Sequence, residues 1–192
     1  MKFSDQAKII NQMTTKQITI QLIMTQLILL ILAIISSAFL FESFGGEWKE
    51  LFESKWNYWF FYGISSALII LFIDYILMKF LPKKYYDDGG INQKVFQNQS
   101  FLNIIGLTLL VAVSEEMLFR GVVQKEFGYL FASGLFALLH FRYLVKPILL
   151  LSVIFVSFYI GYLFWETGSL IITITTHFLV DAVLALWIRY GK

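Results

Sequence analysis

The chain has 192 residues, of which 58% are hydrophobic and 15% charged; its formal net charge is +2 and its mean hydropathy is +0.72. Because ordinary soluble domains are about 25% charged, this composition excludes a soluble globule and predicts an all-α integral membrane protein. The small net charge excludes nucleic-acid binding, and the lack of cysteine in the sequence excludes disulfides, thiolate metal sites and cysteine nucleophiles.

Two apolar runs come first, at residues 18–41 and 56–81, and neither contains a recognisable motif. Each has about the 20 residues that a membrane-spanning helix needs. The second run holds one acidic residue, Asp74, in its interior. The polar stretch that follows, "PKKYYDDGGINQKVFQNQS" at 82–100, is predicted as a loop.

Four more spans are predicted in the second half of the chain, at 101–123, 127–145, 147–165 and 169–188. The first of these qualifies only if its charged side chains face protein or trapped water. The whole chain, 1–192, is therefore predicted as a single transmembrane domain of about six helices in one bundle. Its parts are two motif-free spans (1–81), a polar loop (82–100) and a four-helix core (101–192).

The distribution of lysine and arginine predicts the orientation. Six crossings place both termini on one side, and eleven of the 15 Lys and Arg residues then fall on that side. Cytoplasmic segments of membrane proteins are enriched in these residues. We therefore expect a multi-pass protein of a bacterial cell membrane with both termini in the cytoplasm.

Three ionisable residues interrupt the span at 101–123, namely Glu115, Glu116 and Arg120. At the bilayer centre each costs about 2.5 to 3.5 kcal/mol, so such residues are functional candidates. Glu116 and Arg120 are four positions apart and share a helix face, whereas Glu115 is rotated by about 100°. The spacing assigns Glu116 to Arg120 and leaves Glu115 available for a proton, a metal or a water molecule.

Both histidines of the chain also fall inside predicted spans. His140 ends "FASGLFALLH", and His177 lies in "IITITTHFLVDA", four residues before Asp181, which can orient its imidazole or act as a ligand. Glu115, His140 and His177 could hold Zn²⁺ with a position open to water. They could equally form a metal-free site in which the glutamate activates water and the histidines stabilise an oxyanion. The residues leave both mechanisms of peptide-bond hydrolysis open.

Three short motifs resemble those of a known family. "EEMLFR" (115–120), "FALLH" (136–140) and "HFLVD" (177–181) look like the EExxxR, FxxxH and HxxxN/D motifs of the CAAX-protease and bacteriocin-processing family of intramembrane proteases. The resemblance covers the second half of the chain, from about residue 101.

The resemblance implies a catalytic role for each charged or imidazole side chain of these motifs. Glu115 would activate water, and His140 and His177 would bind water, oxyanion or metal. The remaining positions would be filled by Glu116 and Arg120, which support the base, and by Asp181.

The function implied is that of an intramembrane endopeptidase that acts on a peptide or membrane-protein substrate in the lipid bilayer, in bacteriocin maturation or self-immunity. Two other classes fit the residues. A non-catalytic membrane immunity or interaction protein would use the polar cluster for packing, and an ion-coupled carrier would use Glu115 and Asp74 along a pathway. The sequence does not define the oligomeric state.

Overall fold

The computed structural model describes residues 12–82, 85–140, 143 and 146–191, and these residues form helices without β-strands. Five of the described helices are long and apolar enough to cross a membrane, which confirms an all-α polytopic membrane protein. In chain order the helices are α1 (Thr15–Leu40), α2 (Phe44–Leu51), α3 (Trp56–Phe80), α4 (Ile91–Phe96), α5 (Phe101–Phe127), α6 (Tyr129–Leu139), α7 (Pro147–Thr167) and α8 (Leu170–Tyr190).

Local sequence signals set several helix ends. Thr14 and Gln17 form a capping box that satisfies backbone donors at the start of α1. Pro147 stands at the start of α7, where its missing N–H costs nothing. Gly168 ends the same helix with a φ of +63°, a conformation that favours glycine. As a result, α8 follows α7 after a turn of only two residues.

The two polar connections in the first half of the chain contain short helices. Helix α2 lies in the connection between α1 and α3, and its Trp48 Nε1 donates a hydrogen bond to Ser37 Oγ of α1 at 3.0 Å. Helix α4 lies inside the predicted loop at 82–100. Its first turn is capped by Asp88, whose carboxylate accepts from the backbone N–H groups of Ile91 and Asn92 at 3.1 and 2.9 Å.

The segment predicted as a span at 127–145 forms a shorter helix than expected. Helix α6 has 11 residues, which at 1.5 Å per residue reach about 16 Å, roughly half of the ~30 Å hydrocarbon core. It ends before His140, and residues 141–142 and 144–145 of the predicted span lie outside the described residues. The described chain thus has five helices of spanning length where six were predicted, because an apolar run alone does not distinguish a crossing from a short buried helix.

Helix α5 lies at the centre of the bundle. It makes its most extensive interface with α8 and packs also against α1, α6 and α7. Residues Met117–Gln124 of α5 form π-helical turns, a feature found often at functional sites. Large apolar side chains on the outer faces of α1, α3 and α5, such as Phe39, Phe80 and Leu102, are exposed, as expected for surfaces that face lipid.

Candidate active site

Glu116 and Arg120 form a fully buried ion pair inside α5. Both side chains have zero exposure, and Arg120 Nε lies 3.4 Å from Glu116 Oε2, which confirms the pairing predicted from their spacing. The guanidinium of Arg120 also lies over the Phe136 ring, 5.3 Å from its centroid. Buried charges of this kind are tolerated when each has a partner, because removal of one leaves the other uncompensated.

Two side chains from the π-helical part of α5 bind the backbone of α7. Arg120 Nη2 donates to the carbonyl oxygen of Ser157 at 3.0 Å, and Gln124 Nε2 donates to that of Gly161 at 2.7 Å. Donors four residues apart on one helix thus meet acceptors four residues apart on the other. This pair of contacts fixes α5 relative to α7 and so fixes the position of the ion pair.

His177 of α8 connects the motif residues of α5 and α8. Its Nδ1 lies 2.9 Å from Glu116 Oε1, and its Nε2 lies 3.5 Å from Asp181 Oδ2 and 4.0 Å from Glu115 Oε2. A carboxylate paired with arginine only accepts hydrogen bonds, so Nδ1 carries a proton and donates to Glu116. The imidazole is therefore held with Nε2 towards Glu115 and Asp181.

Glu115 has different partners on its two carboxylate oxygens. Its Oε1 accepts a hydrogen bond of 3.1 Å from Gln26 Nε2 of α1, whereas Oε2 faces His177 Nε2 at 4.0 Å. That separation is too long for a direct hydrogen bond and matches one that a water molecule bridges. The Glu115 side chain is 12% exposed, against zero for Glu116. The site can therefore place a water molecule between a carboxylate and an imidazole.

His140 lies one aromatic ring away from this network. It follows the last residue of α6, and its Nδ1 donates to the backbone carbonyl of Phe136 at 2.9 Å. The Phe136 ring packs against His140 at 4.7 Å between centroids and against His177 at 6.2 Å. His140 is near enough to Glu115 to act on it electrostatically. Of the six predicted site residues, five lie in one polar network and His140 joins it through Phe136.

The side chains as placed do not fit a zinc ion held by Glu115, His140 and His177. Zinc takes ligand atoms at about 2.0 to 2.2 Å, so its ligands must converge on one point. Within the described residues no three His, Cys, Asp or Glu side chains converge in this way. His177 instead directs its two ring nitrogens at carboxylates. Zinc binding remains a prediction from the sequence.

Sequence reasoning missed Gln26, the residue of α1 that bonds to Glu115. Its side chain is only 4% exposed, although it sits in a helix that carries no motif. An amide inside a spanning helix is itself a signal, because a polar group in lipid needs a partner. Helix α1 also contains Gln21, which is exposed in the structure. The sequence alone does not show which of these two glutamines faces the bundle.

Asp74, the acidic residue of α3 outside the motifs, lies close enough to Asp181 for the two carboxylates to interact electrostatically. It is partly buried in the structure. Helices α3 and α8 pack through Ile70 and Val180 in this part of the bundle. Asp74 therefore lies at the edge of the polar network.

Comparison with known proteins defines the family. Residues 97–183 match the type II CAAX prenyl endopeptidase Rce1-like family, and this region includes all six predicted site residues. YpbD of Bacillus subtilis (strain 168), described as an uncharacterized protein, is 44% identical over 167 residues, which cover 87% of this chain and 88% of the relative. No solved structure gives a significant match. The fold is that of a polytopic membrane protein with a buried polar site. The chain belongs to the Rce1-like family of CAAX prenyl endopeptidases, a family of intramembrane proteases.

Proposed function

We propose that this protein is an intramembrane endopeptidase in which Glu115 activates the water that attacks a peptide bond. The observation that supports this most directly is the facing of Glu115 Oε2 and His177 Nε2 at 4.0 Å, a separation suited to a shared water. Membership in a protease family supports the same reaction class. The substrate proposed is a peptide or membrane protein that enters from the bilayer.

In the proposed reaction Glu115 takes a proton from water while the oxygen of that water adds to the carbonyl carbon of the substrate. His177, acting as an imidazolium, donates from Nε2 to the oxyanion that forms. Glu115 then gives its proton to the amide nitrogen, the C–N bond breaks, and a carboxylic acid and an amine leave. His140 is proposed as a second group that binds the oxyanion.

The other three motif residues orient the reacting groups. Glu116 accepts the Nδ1–H of His177 at 2.9 Å and is held in turn by Arg120. Asp181 lies beside Nε2 at 3.5 Å, where it steadies a positive charge on the ring. Together they keep the imidazole in one orientation throughout the reaction.

We propose a metal-free mechanism because the polar side chains pair with one another in the described site. Metal analysis of the purified protein distinguishes the two mechanisms that the sequence left open. The metal-free mechanism predicts cleavage that survives a strong chelator in protein without stoichiometric zinc. One zinc per chain, with activity lost to the chelator and restored by zinc, would establish the zinc mechanism instead.

The narrower biological proposal is maturation of a peptide bacteriocin or self-immunity. It is supported by the resemblance of the three motifs and by a bacterial relative. A non-catalytic immunity protein would still protect cells from a bacteriocin after Glu115→Ala. A protease that acts in immunity would lose protection in the same variant.

We also propose that both termini lie in the cytoplasm, which requires the region of α6 to complete a crossing before α7 begins. With that crossing the Lys and Arg residues divide eleven to four. Without that crossing, four of these residues move to the other side of the membrane, and the division becomes seven to eight; they are Arg142, Lys146, Arg189 and Lys192. Only the first division has the bias that membrane proteins show.

The orientation can be measured directly, because the sequence contains no cysteine that would give background labelling. Single-cysteine variants at Gln12 and Tyr190 are treated in intact cells with a membrane-impermeant maleimide. The proposal predicts that neither is labelled until the membrane is opened. Labelling of only one of them in intact cells would show that the termini lie on opposite sides.

The proteolytic function is tested by comparing protein termini in membranes from cells that express the wild type or Glu115→Gln. Mass spectrometry of terminal peptides should find cleavage sites that are present with the wild type and missing with the variant at equal expression. A synthetic peptide that spans such a site should then be cut by the purified wild type. If the two samples have the same termini, the proposal is wrong.

A further inference from the structure

Helix α1 presents one buried stripe to the rest of the bundle, and Gln26 lies on it. The buried residues of this helix recur at spacings of eight, seven and four, which keeps them on one helix face. They are Ile18, Gln26, Ala33 and Ser37. Gln26 is the one with a long polar side chain, and it points at the site instead of at lipid.

Both ends of the Gln26 amide are bonded to consecutive residues of α5. Its Nε2 donates to Glu115 Oε1 at 3.1 Å, and its Oε1 accepts from Ser114 Oγ at 2.6 Å. The Ser114 side chain is fully buried. Because 88 or 89 residues separate these partners in the sequence, the contact is a tertiary one that fixes α1 against the catalytic helix.

The orientation of the Gln26 amide follows from the charge of the Glu115 carboxylate. An ionised Glu115 has no proton to donate, so the amide must present its N–H to it. The amide oxygen then faces the Ser114 hydroxyl at 2.6 Å, and this hydroxyl also lies 2.7 and 3.1 Å from the backbone carbonyl oxygens of Leu110 and Val111, which share its one proton. A reversed amide would set its oxygen against the carboxylate. The charge of Glu115 and the Ser114 hydroxyl thus favour the same orientation of the Gln26 amide.

This contact makes the two oxygens of Glu115 unequal. Oε1 is occupied by the amide, so it accepts a hydrogen bond from protein at every stage of the reaction. Oε2 faces His177 and the position proposed for water. A half turn of the carboxylate about its last bond only exchanges two equivalent oxygens, but a partial turn would direct neither oxygen at the position beside the imidazole. Displacements of about 1 Å at a reacting group reduce rates by up to about 100-fold.

We propose that Gln26 is a positioning residue of the catalytic site: its amide, which also bonds to Ser114, fixes the plane of the Glu115 carboxylate so that the oxygen free of Gln26 stays directed at the water beside His177. This inference rests on the proposed role of Glu115 as the base. It assigns a function in the site to α1, a helix without any of the family-like motifs.

The test uses Gln26→Met, which keeps an unbranched side chain of similar length and removes the amide. The matched control is Gln21→Met, the same change at an exposed position of the same helix. Cleavage is measured on the synthetic peptide defined by the terminal-peptide comparison. We expect kcat to fall by about 10- to 100-fold in Gln26→Met with KM changed less than about twofold. Gln21→Met should match the wild type in both.

A role in folding alone would give a different result. Because the Gln26 amide bonds α1 to Ser114 and Glu115 of α5, its loss should also lower the melting temperature of the detergent-solubilised protein, so kcat is measured on the folded fraction. If Gln26→Met lowers the melting temperature but the folded fraction keeps the wild-type kcat, Gln26 is only a packing residue. An unchanged kcat in a stable variant would overturn the inference equally.

Infrared spectroscopy tests the contact without any activity. The carboxyl band of Glu115 is identified as the band that Glu115→Gln lacks. It should shift in Gln26→Met, because its oxygen loses a donor, and stay in place in Gln21→Met. A band that does not move would overturn the inference. A shifted band in a protein whose Glu115→Gln variant still cleaves the peptide would mean that the proposed base is wrong while the Gln26 contact is real.

Discussion

Glu115 and Glu116 are adjacent in the sequence, yet they lie in opposite kinds of surroundings. Glu116 is fully buried between Arg120 and His177, so its charge is compensated. One oxygen of Glu115 accepts a hydrogen bond from the neutral amide of Gln26, and the other faces His177 Nε2 at 4.0 Å. The helical rotation of about 100° between neighbours is enough to give one carboxylate a structural partner and to leave the other available for chemistry.

The largest expected effect is a loss of stability when the ion pair between Glu116 and Arg120 is broken. Arg120→Met removes one partner of a buried ion pair and should destabilise the folded protein by about 3 to 5 kcal/mol. Unfolding in mixed micelles measures this change. Lys125→Met is the control on the same helix, since Lys125 is partly exposed where it pairs with Glu47, and an exposed pair contributes about 0 to 1 kcal/mol.

A double variant tests whether the charges of Glu116 and Arg120 compensate each other. Glu116→Leu combined with Arg120→Met removes both charges, so it should be less destabilised than either single variant. If the single changes are harmless, or if their costs add in the double variant, the two residues are not a mutually compensating pair.

A smaller effect is expected for substitution of His177, the residue that both glutamates face. His177→Gln keeps a polar side chain but removes the imidazole that bonds to Glu116 and faces Glu115. Cleavage of the synthetic peptide should fall by about 10²- to 10³-fold, the range for loss of one donor to an oxyanion. Circular dichroism and the melting temperature check that the variant is folded. A folded variant with more than one tenth of the wild-type rate would contradict the proposed role.

The smallest effect is expected at the outer edge of the network. Asp181→Asn should reduce the rate about tenfold, because its carboxylate is 35% exposed and 3.5 Å from His177 Nε2, where water weakens its influence. Asp74→Asn on α3 is the matched control and should change the rate less than about twofold. If Asp74→Asn lowers the rate as much as Asp181→Asn, the site extends to α3 and Asp74 is a fourth carboxylate of the polar network.

Helical spacing made much of this site predictable. The pairs Glu116–Arg120 and His177–Asp181 are each four residues apart within one helix, and both pairs are close in the structure. The apolar runs likewise predicted the five long helices. These features depend only on local periodicity, which a single sequence contains.

Other features depend on contacts that local periodicity does not encode. Gln26 lies 89 residues from Glu115, and nothing in α1 distinguishes it from Gln21 until the buried face of the helix is known. The length of α6 was overestimated because its apolar run continues past the end of the helix. The position of His140 behind Phe136 follows from how α6 packs against α5 and α8.

The most direct test of the central claim is a side-by-side measurement of cleavage and stability in purified Glu115→Gln and Glu116→Gln. We expect Glu115→Gln to unfold like the wild type and to cleave the synthetic peptide about 10²- to 10⁴-fold more slowly, as expected for loss of a general base. Glu116→Gln should be clearly less stable, because Arg120 loses its counter-charge. Wild-type cleavage by folded Glu115→Gln would show that Glu115 is not the base.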